Sequence, residues 1–251
     1  MGLAQLIGRP ATRDCSFVSG MRDLHAVPFC LTNIPQTMIS WSCSNPVYGN
    51  TLNPHDHSRT PGGSSGGEAA LIAGGGSVLG LGTDVGGSLR IPAHFSGICG
   101  FKPTNGRLYE DGRRGAHGAE MAILRCGVYS VAGFMSPDVA GLQVGMKSLL
   151  ESSRKMSAKD WKVVPVDWNE KLYKPGRKLK LAYYEEDGIF PPTPGVQRAL
   201  RVSFFFFFPE NWTLEVTRHF RKSLMPCELM DMKLFPGLQW TLWMLLQSLV
   251  T

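Results

Sequence analysis

Two glycine-rich turns carry the serines whose types and spacing could do chemistry. The first is Gly62-Gly63-Ser64-Ser65-Gly66-Gly67 and the second is Asp84-Val85-Gly86-Gly87-Ser88-Leu89-Arg90. Small residues on either side let a hydroxyl stand exposed and let a substrate approach the backbone. In the second turn, Gly86 and Gly87 can adopt φ values that aim consecutive N–H groups at one point. Such a nest binds an anion, and beside a nucleophilic Ser88 it would serve as an oxyanion hole formed by the N–H groups of Val85, Gly86, Gly87 and Ser88. Loss of one such donor costs roughly 3 kcal/mol of transition-state stabilisation. Plain Gly/Ser turns at strand ends would explain either stretch alone. That explanation weakens for both at this spacing, with Asp84 and Arg90 flanking the second.

Competing motifs are weaker. Gly63-Ser64-Ser65-Gly66-Gly67 matches the G-x-S-x-G nucleophile elbow, but that motif needs a strand directly before it and residues 53–61 read as loop. Gly80-Leu81-Gly82-Thr83-Asp84-Val85-Gly86 misses the dinucleotide fingerprint by one residue before its third glycine, with no convincing helix after it. No Gly-Lys-Ser/Thr sequence occurs, so a P-loop is excluded. His55-Asp56-His57 lacks a nearby third ligand and reads as a turn cluster, not a metal site.

The elements that must position these turns read as alternating strands and helices, an α/β sheet protein. Helical spacing of Phe17, Val18, Met21 and Leu24 predicts a helix over 14–24, and the β-branched, aromatic run VPFCLTN predicts a buried strand over 26–33. Residues 40–63 form a long loop rich in Ser, Asn, Pro and Gly, and such loops tend to be functional. A short helix over 68–73, a buried strand over 77–83 and a tight turn over 84–87 follow, whereas 119–133 reads as irregular. Ser136-Pro137-Asp138 is a helix start leading into residues 139–150, with proline at the first-turn position. A strand is expected over 179–184, and Thr193-Pro194 opens a helix over 196–202. Beyond Val202 lie the phenylalanines Phe204 to Phe208, stopped by Pro209, and an apolar run over 238–250 too short to span a bilayer. That last segment reads either as a packing or interfacial helix or as sequence from an altered reading frame. Two regions result, 1–202 and a divergent tail, 203–251.

A chain of 251 residues with 43% hydrophobic and 18% charged residues has the composition of a globular protein. Its net charge of +6 comes from scattered basic residues, and the cluster over 171–180 accompanies no basic helix, so nucleic acid is not an expected partner. The six cysteines form no CxxC pair and read as reduced thiols; with no signal-peptide pattern at the start, an intracellular compartment is expected. The sequon Asn211-Trp212-Thr213 then reads as chance. Myristoylation is not expected, because Leu6 stands where the motif needs Ser or Thr.

The stretch GGSSGGEAALIAGGGSVLGLGTDVGGSLRIPAHFSGICGFKPT resembles the signature of the amidase signature family, within it the fatty acid amide hydrolases of animals. VPFCLTNIPQTM, SCSNPVYGNTLNP and LKLAYYEEDG extend the resemblance, which covers roughly residues 2–200. It implies a mixed sheet sandwiched by helices and a Ser–Ser–Lys triad that needs no cofactor. On that resemblance Ser88 is the nucleophile that forms the acyl-enzyme, and Ser64 relays the proton to the leaving amine. Met38 offers a backbone carbonyl beside the site, Ser65 is a neighbouring polar position, and Asp84 and Arg90 hold the nucleophile turn. The substrate that the resemblance implies is a small-molecule amide, and within the animal subgroup an amide of a fatty acid. Endomembrane association at the membrane surface and a homodimer are also implied.

The sequence departs from this pattern at the general base. The triad lysine lies upstream of the relay serine, and no lysine precedes Lys102, which matches a non-catalytic position near the signature's end. His25, His55, His57 and His94 are the alternative bases, with nothing in the sequence to position them. The fold is therefore expected to be truncated at both ends. The alternative to a hydrolase is an impaired remnant that binds acyl ligands or a partner.

Overall fold

The computed structural model describes residues 2–109, 111–112, 129–173, 179–181, 191–207 and 230–232. Two compact units are present, Met1–Trp168 and Asn169–Thr251. The first holds α1 (Ser16–Asp23), the short strands β1 (Ser44–Asn45) and β2 (Gly49–Asn50), α2 (Gly66–Ala73), β3 (Gly80–Asp84), α3 (Arg90–Phe95), β4 (Cys99–Phe101), β5 (Val131–Ser136), α4 (Val139–Leu150) and α5 (Ser153–Lys159).

The described sheet has the order β3-β5-β4, with both outer strands antiparallel to β5. β3 and β4 therefore run in the same direction, and α3 lies on the connection between them. Every residue of β5 is buried. Met135 meets Ala69, Ile72, Leu89 and Ala93 of α2, α3 and the turn before α3. Phe134 points to the opposite face, edge-on to Phe17 of α1 with ring centroids 5.5 Å apart. On that face a Cβ at Gly145 of α4 would lie 3.0 Å from the Phe134 ring. A strand covered on both faces has no polar alternation, which is why VAGFMS does not read as a strand from its pattern. Burying each of these side chains contributes on the order of 2 kcal/mol.

The outer edge of β3 is closed by side chains. Thr83 N–H donates to Ser65 Oγ at 3.3 Å, and the backbone N–H of Leu81 lies toward the Glu68 carboxylate. Thr32 Oγ1 donates to Glu68 Oε2 at 2.7 Å. Burial pushes the Glu68 carboxyl above its ordinary value, and the two donors only partly offset this. A raised carboxyl stabilises below the ordinary glutamate pKa of about 4.3 and loses that contribution as pH rises through the folded value. Glu68→Gln is therefore expected to raise the melting temperature at pH 7, with the gain closing toward pH 4 in thermal unfolding.

Three expectations are corrected. VPFCLTN is not a buried strand: Phe29 is 66% and Leu31 101% exposed, and no described strand pairs with the segment. Strand propensity measures fit to a pleated, half-buried surface, and without a neighbour there is no such surface. The helix expected over 139–150 has that span, but its N-cap is Asp138, accepting from Gly141 N–H at 2.8 Å, so Pro137 lies before the first turn and not in it. Asp138→Ala is expected to cost about 1 kcal/mol in denaturant unfolding. Finally, a helix does follow the second glycine turn: α3 starts at Arg90.

The second unit contains α6 (Glu170–Tyr173), β6 (Leu179–Leu181), α7 (Pro194–Phe207) and β7 (Met230–Met232), with β6 antiparallel to β7. α7 opens at Pro194, as expected, where the missing N–H costs nothing, and runs past the expected end at Val202 to Phe207. Residues 182–184 of the expected strand, Phe208, the sequon at 211–213 and the apolar run 238–250 lie outside the described residues. Among the described residues no helix is long and apolar enough to cross a membrane. The four described cysteines, Cys15, Cys30, Cys43 and Cys99, are free thiols.

Candidate active site

The two serine turns meet at the C-terminal end of β3. Ser65 N–H donates to the Ser88 carbonyl at 2.9 Å, so the backbones of the two turns are joined directly. Ser64 and Ser65 are buried and Ser88 is half-buried. Ser65 also accepts from Thr83, which ties the first turn to the strand that leads into the second. The glycines around Ser64 permit this density. At Gly67 a Cβ would lie 2.4 Å from the Asn33 backbone, whose carbonyl accepts the Gly67 N–H at 3.0 Å.

Asp84 organises the second turn. Its carboxylate accepts from Gly87 N–H at 2.8 Å, from Leu89 and Arg90 N–H at 3.2 Å each, and from Arg90 Nε and Nη2 at 3.0 Å each. The Asp84 side chain is fully buried and that of Arg90 nearly so, making a bidentate pair within one tight turn. Burial alone would push this carboxyl up. The Arg90 guanidinium and the turn N–H groups outweigh it and hold the carboxyl below its ordinary value. The reversal of the chain depends on Gly87, at φ +106°, a region closed to side chains at ordinary cost.

Of the four N–H groups expected to form the nest, that of Gly87 is engaged by Asp84. Those of Val85, Gly86 and Ser88 donate to no described acceptor, and Val85 and Gly86 are exposed. Met38 ends a single 3-10 turn, Gln36–Met38, in which both Thr37 and Met38 have φ +64°. The chain just after it passes over the first serine turn, since a Cβ at Gly63 would lie 2.6 Å from the Ser40 carbonyl. Two successive non-glycine residues in the left-handed region are costly and concentrate at functional sites.

Lys102 follows β4, half-buried, with Nζ donating to the Pro103 carbonyl at 3.2 Å. Burial lowers its pKa, with Asp84 opposing that shift and Arg90 adding to it. The histidines are held elsewhere or left exposed. His55 Nε2 bonds the Ser96 carbonyl at 2.9 Å within a turn closed by Asn53 and Asp56, while His25, His57 and His94 are exposed. Among the described residues no cluster of His, Cys, Asp and Glu could hold a metal.

Two serine turns, an aspartate anchor and the strand between them thus make one continuous unit. The amidase family model matches residues 1–204. The chain belongs to the amidase family. This amidase-family chain is 46% identical over 200 residues to fatty-acid amide hydrolase 1 of Sus scrofa, a match that covers 80% of the chain and 33% of that relative. To the vitamin D3 hydroxylase-associated protein of Gallus gallus it is 43% identical over 205 residues, covering 80% and 42% respectively. Among solved structures it is similar to a fatty acid amide hydrolase, with a TM-score of 0.71 and 30% identity over 81% of this chain and 35% of that one. It is similar also to a bacterial aryl acylamidase of the amidase signature family, with a TM-score of 0.66 and 26% identity over 78% of this chain and 38% of that one. The amidase-family chain thus spans less than half the length of these curated relatives. The likeness in fold bears out the expected α/β core with helices on both faces.

α3, β4 and β5 are not legible in the sequence pattern. The signal for β5 was a short run of small and apolar residues without breaks, which periodicity cannot distinguish from irregular chain.

Proposed function

We propose that the chain carries the nucleophile half of an amide hydrolase, acting on amides of fatty acids, and that residues 1–202 are the part concerned. Ser88 attacks the amide carbonyl, and its Oγ–C bond forms as the carbonyl π pair moves onto oxygen. That oxyanion is met by the N–H groups of Val85, Gly86 and Ser88. Ser64 gives its own proton to the leaving amine as it takes that of Ser88, so the C–N bond breaks with Ser64 left neutral and an acyl-enzyme formed that water hydrolyses; in the triad that the resemblance implies, a lysine drives this relay. Met38 contributes its carbonyl to the substrate's polar end. Supporting this is one observation above others: the Ser65 N–H to Ser88 carbonyl bond of 2.9 Å, which holds relay and nucleophile turns together. The fatty acyl preference rests on the similarity to fatty acid amide hydrolase sequences, and membrane-surface association and a homodimer rest on that similarity alone.

The second reading, a catalytically impaired binder of acyl ligands or of a partner, is favoured by the placement of Lys102, whose Nζ donates to the Pro103 carbonyl and to no described serine. Incubation with a fluorophosphonate, followed by mass spectrometry of the peptide containing residues 84–90, decides between them. The hydrolase reading expects an adduct on Ser88. No adduct at saturating probe, with the fold intact by circular dichroism, leaves the binding reading.

A further inference from the structure

We propose that Leu89 is the positioning residue for Ser88, keyed into a seat of glycines contributed by all three strands of the described sheet. The inference rests on the reading of Ser88 as nucleophile, but its structural content does not. Leu89 is fully buried although it immediately follows a half-buried serine in an exposed-edged turn. Beneath it a Cβ at Gly82 of β3 would lie 3.2 Å from Leu89 Cδ1, one at Gly133 of β5 2.9 Å from Cδ1, and one at Gly100 of β4 2.9 Å from Cδ2. Gly82 and Gly133 are direct cross-strand partners, and Gly100 pairs with Met135. Three neighbouring strands thus omit their side chains on one face, at the place one leucine fills.

The consequence for Ser88 follows from chain connectivity. The Ser88 carbonyl is held by Ser65, and the next residue is locked in the sheet by its side chain and to Asp84 by its N–H at 3.2 Å. α3 begins directly afterwards, with the Ala93 N–H bonded to the Leu89 carbonyl at 3.3 Å. Leu89 therefore fixes both the height of Ser88 above the sheet and the start of the helix beyond it. Ile72 packs in the same cluster but lies on α2, away from the turn, and so provides a control of matched burial.

The test compares Leu89→Ala with Ile72→Ala by amide hydrogen exchange over residues 84–90 and by the rate of fluorophosphonate addition to Ser88. Leu89→Ala is expected to speed exchange of the Gly87, Leu89 and Arg90 amides by about tenfold or more relative to the change in global stability. Addition to Ser88 should slow by about 100-fold, the effect of misplacing a reacting atom by about 1 Å. Ile72→Ala should leave both near the native values despite a similar loss of melting temperature. If Leu89→Ala does not fold, Leu89→Val carries the same comparison. Unchanged exchange in the Leu89 variant, or equal loosening of the turn in the Ile72 variant, overturns the inference. Native protein that takes no fluorophosphonate overturns the hydrolase reading alone, and the exchange comparison still decides the role of Leu89.

Discussion

Asp84→Asn is expected to be the most damaging single substitution in the described unit, costing about 3–5 kcal/mol of stability, as when one partner of a buried ion pair is removed. The carboxylate accepts five hydrogen bonds from one turn, two of them from the Arg90 guanidinium. Asparagine keeps one acceptor oxygen and replaces the other by a donor. That NH2 would face the donors now aimed at Asp84 and leave Arg90, itself nearly buried, without its counter-charge. Against a typical total of about 5–15 kcal/mol, the loss is a large fraction of folding stability. Urea unfolding at pH 7 measures it directly. The sign of the pH effect follows from the lowered folded pKa of Asp84. Its stabilisation is fully present above the ordinary aspartate value of about 3.9 and disappears as pH falls through the lower folded value. The native chain should lose stability steeply below about pH 4, and the variant, already without this contribution, should show a shallower acid limb.

Ser88→Ala is expected to have the opposite profile. Covalent capture by a fluorophosphonate should vanish, while urea unfolding should shift by no more than about 0.5 kcal/mol, as for a substitution outside the packed core. Ser88 is half-buried, and the contact that anchors it to the first turn uses its backbone carbonyl, which alanine retains. Ser64→Ala should slow capture by about 100-fold or more without abolishing it, the usual contribution of a proton-transfer partner. A capture rate in Ser88→Ala equal to that of the native chain would place the nucleophile elsewhere, with the buried Ser64 and Ser65 first in line. The contrast between Asp84→Asn and Ser88→Ala separates chemistry from scaffold, because they sit in one turn and only one of them should melt it.

What was legible in the sequence was local. The glycines and serines of both turns, the Asp84 and Arg90 flanks and the helices around 66–73 and 139–150 are written in residue types that act over a few positions. β5 was illegible because a strand buried on both faces shows no alternation. VPFCLTN was misread because strand formation depends on a pairing partner, which no property of those residues specifies. The distribution of the nest donors was illegible for a related reason. Gly87 looks as available as Gly86 in sequence, and only the Asp84 carboxylate, folded back to within 2.8 Å, removes it. The seat of Leu89 required strand registers, since Gly82, Gly100 and Gly133 are distant in sequence and meet only once β3, β4 and β5 are aligned.

The closed edge of β3 has a consequence for how this chain meets others. A sheet edge recruits a foreign strand by offering alternating donors and acceptors, and pairing fails when either set is already satisfied. Thr83 gives its outward N–H to Ser65, and that of Leu81 lies toward the Glu68 carboxylate. An approaching strand would find the Thr83 amide already taken and a carboxylate set against that of Leu81, so its own carbonyls would be poorly met. The hydroxyl and carboxylate that brace the serine turns therefore also act as a guard against runaway β-pairing, beside an exposed apolar segment where such protection matters most.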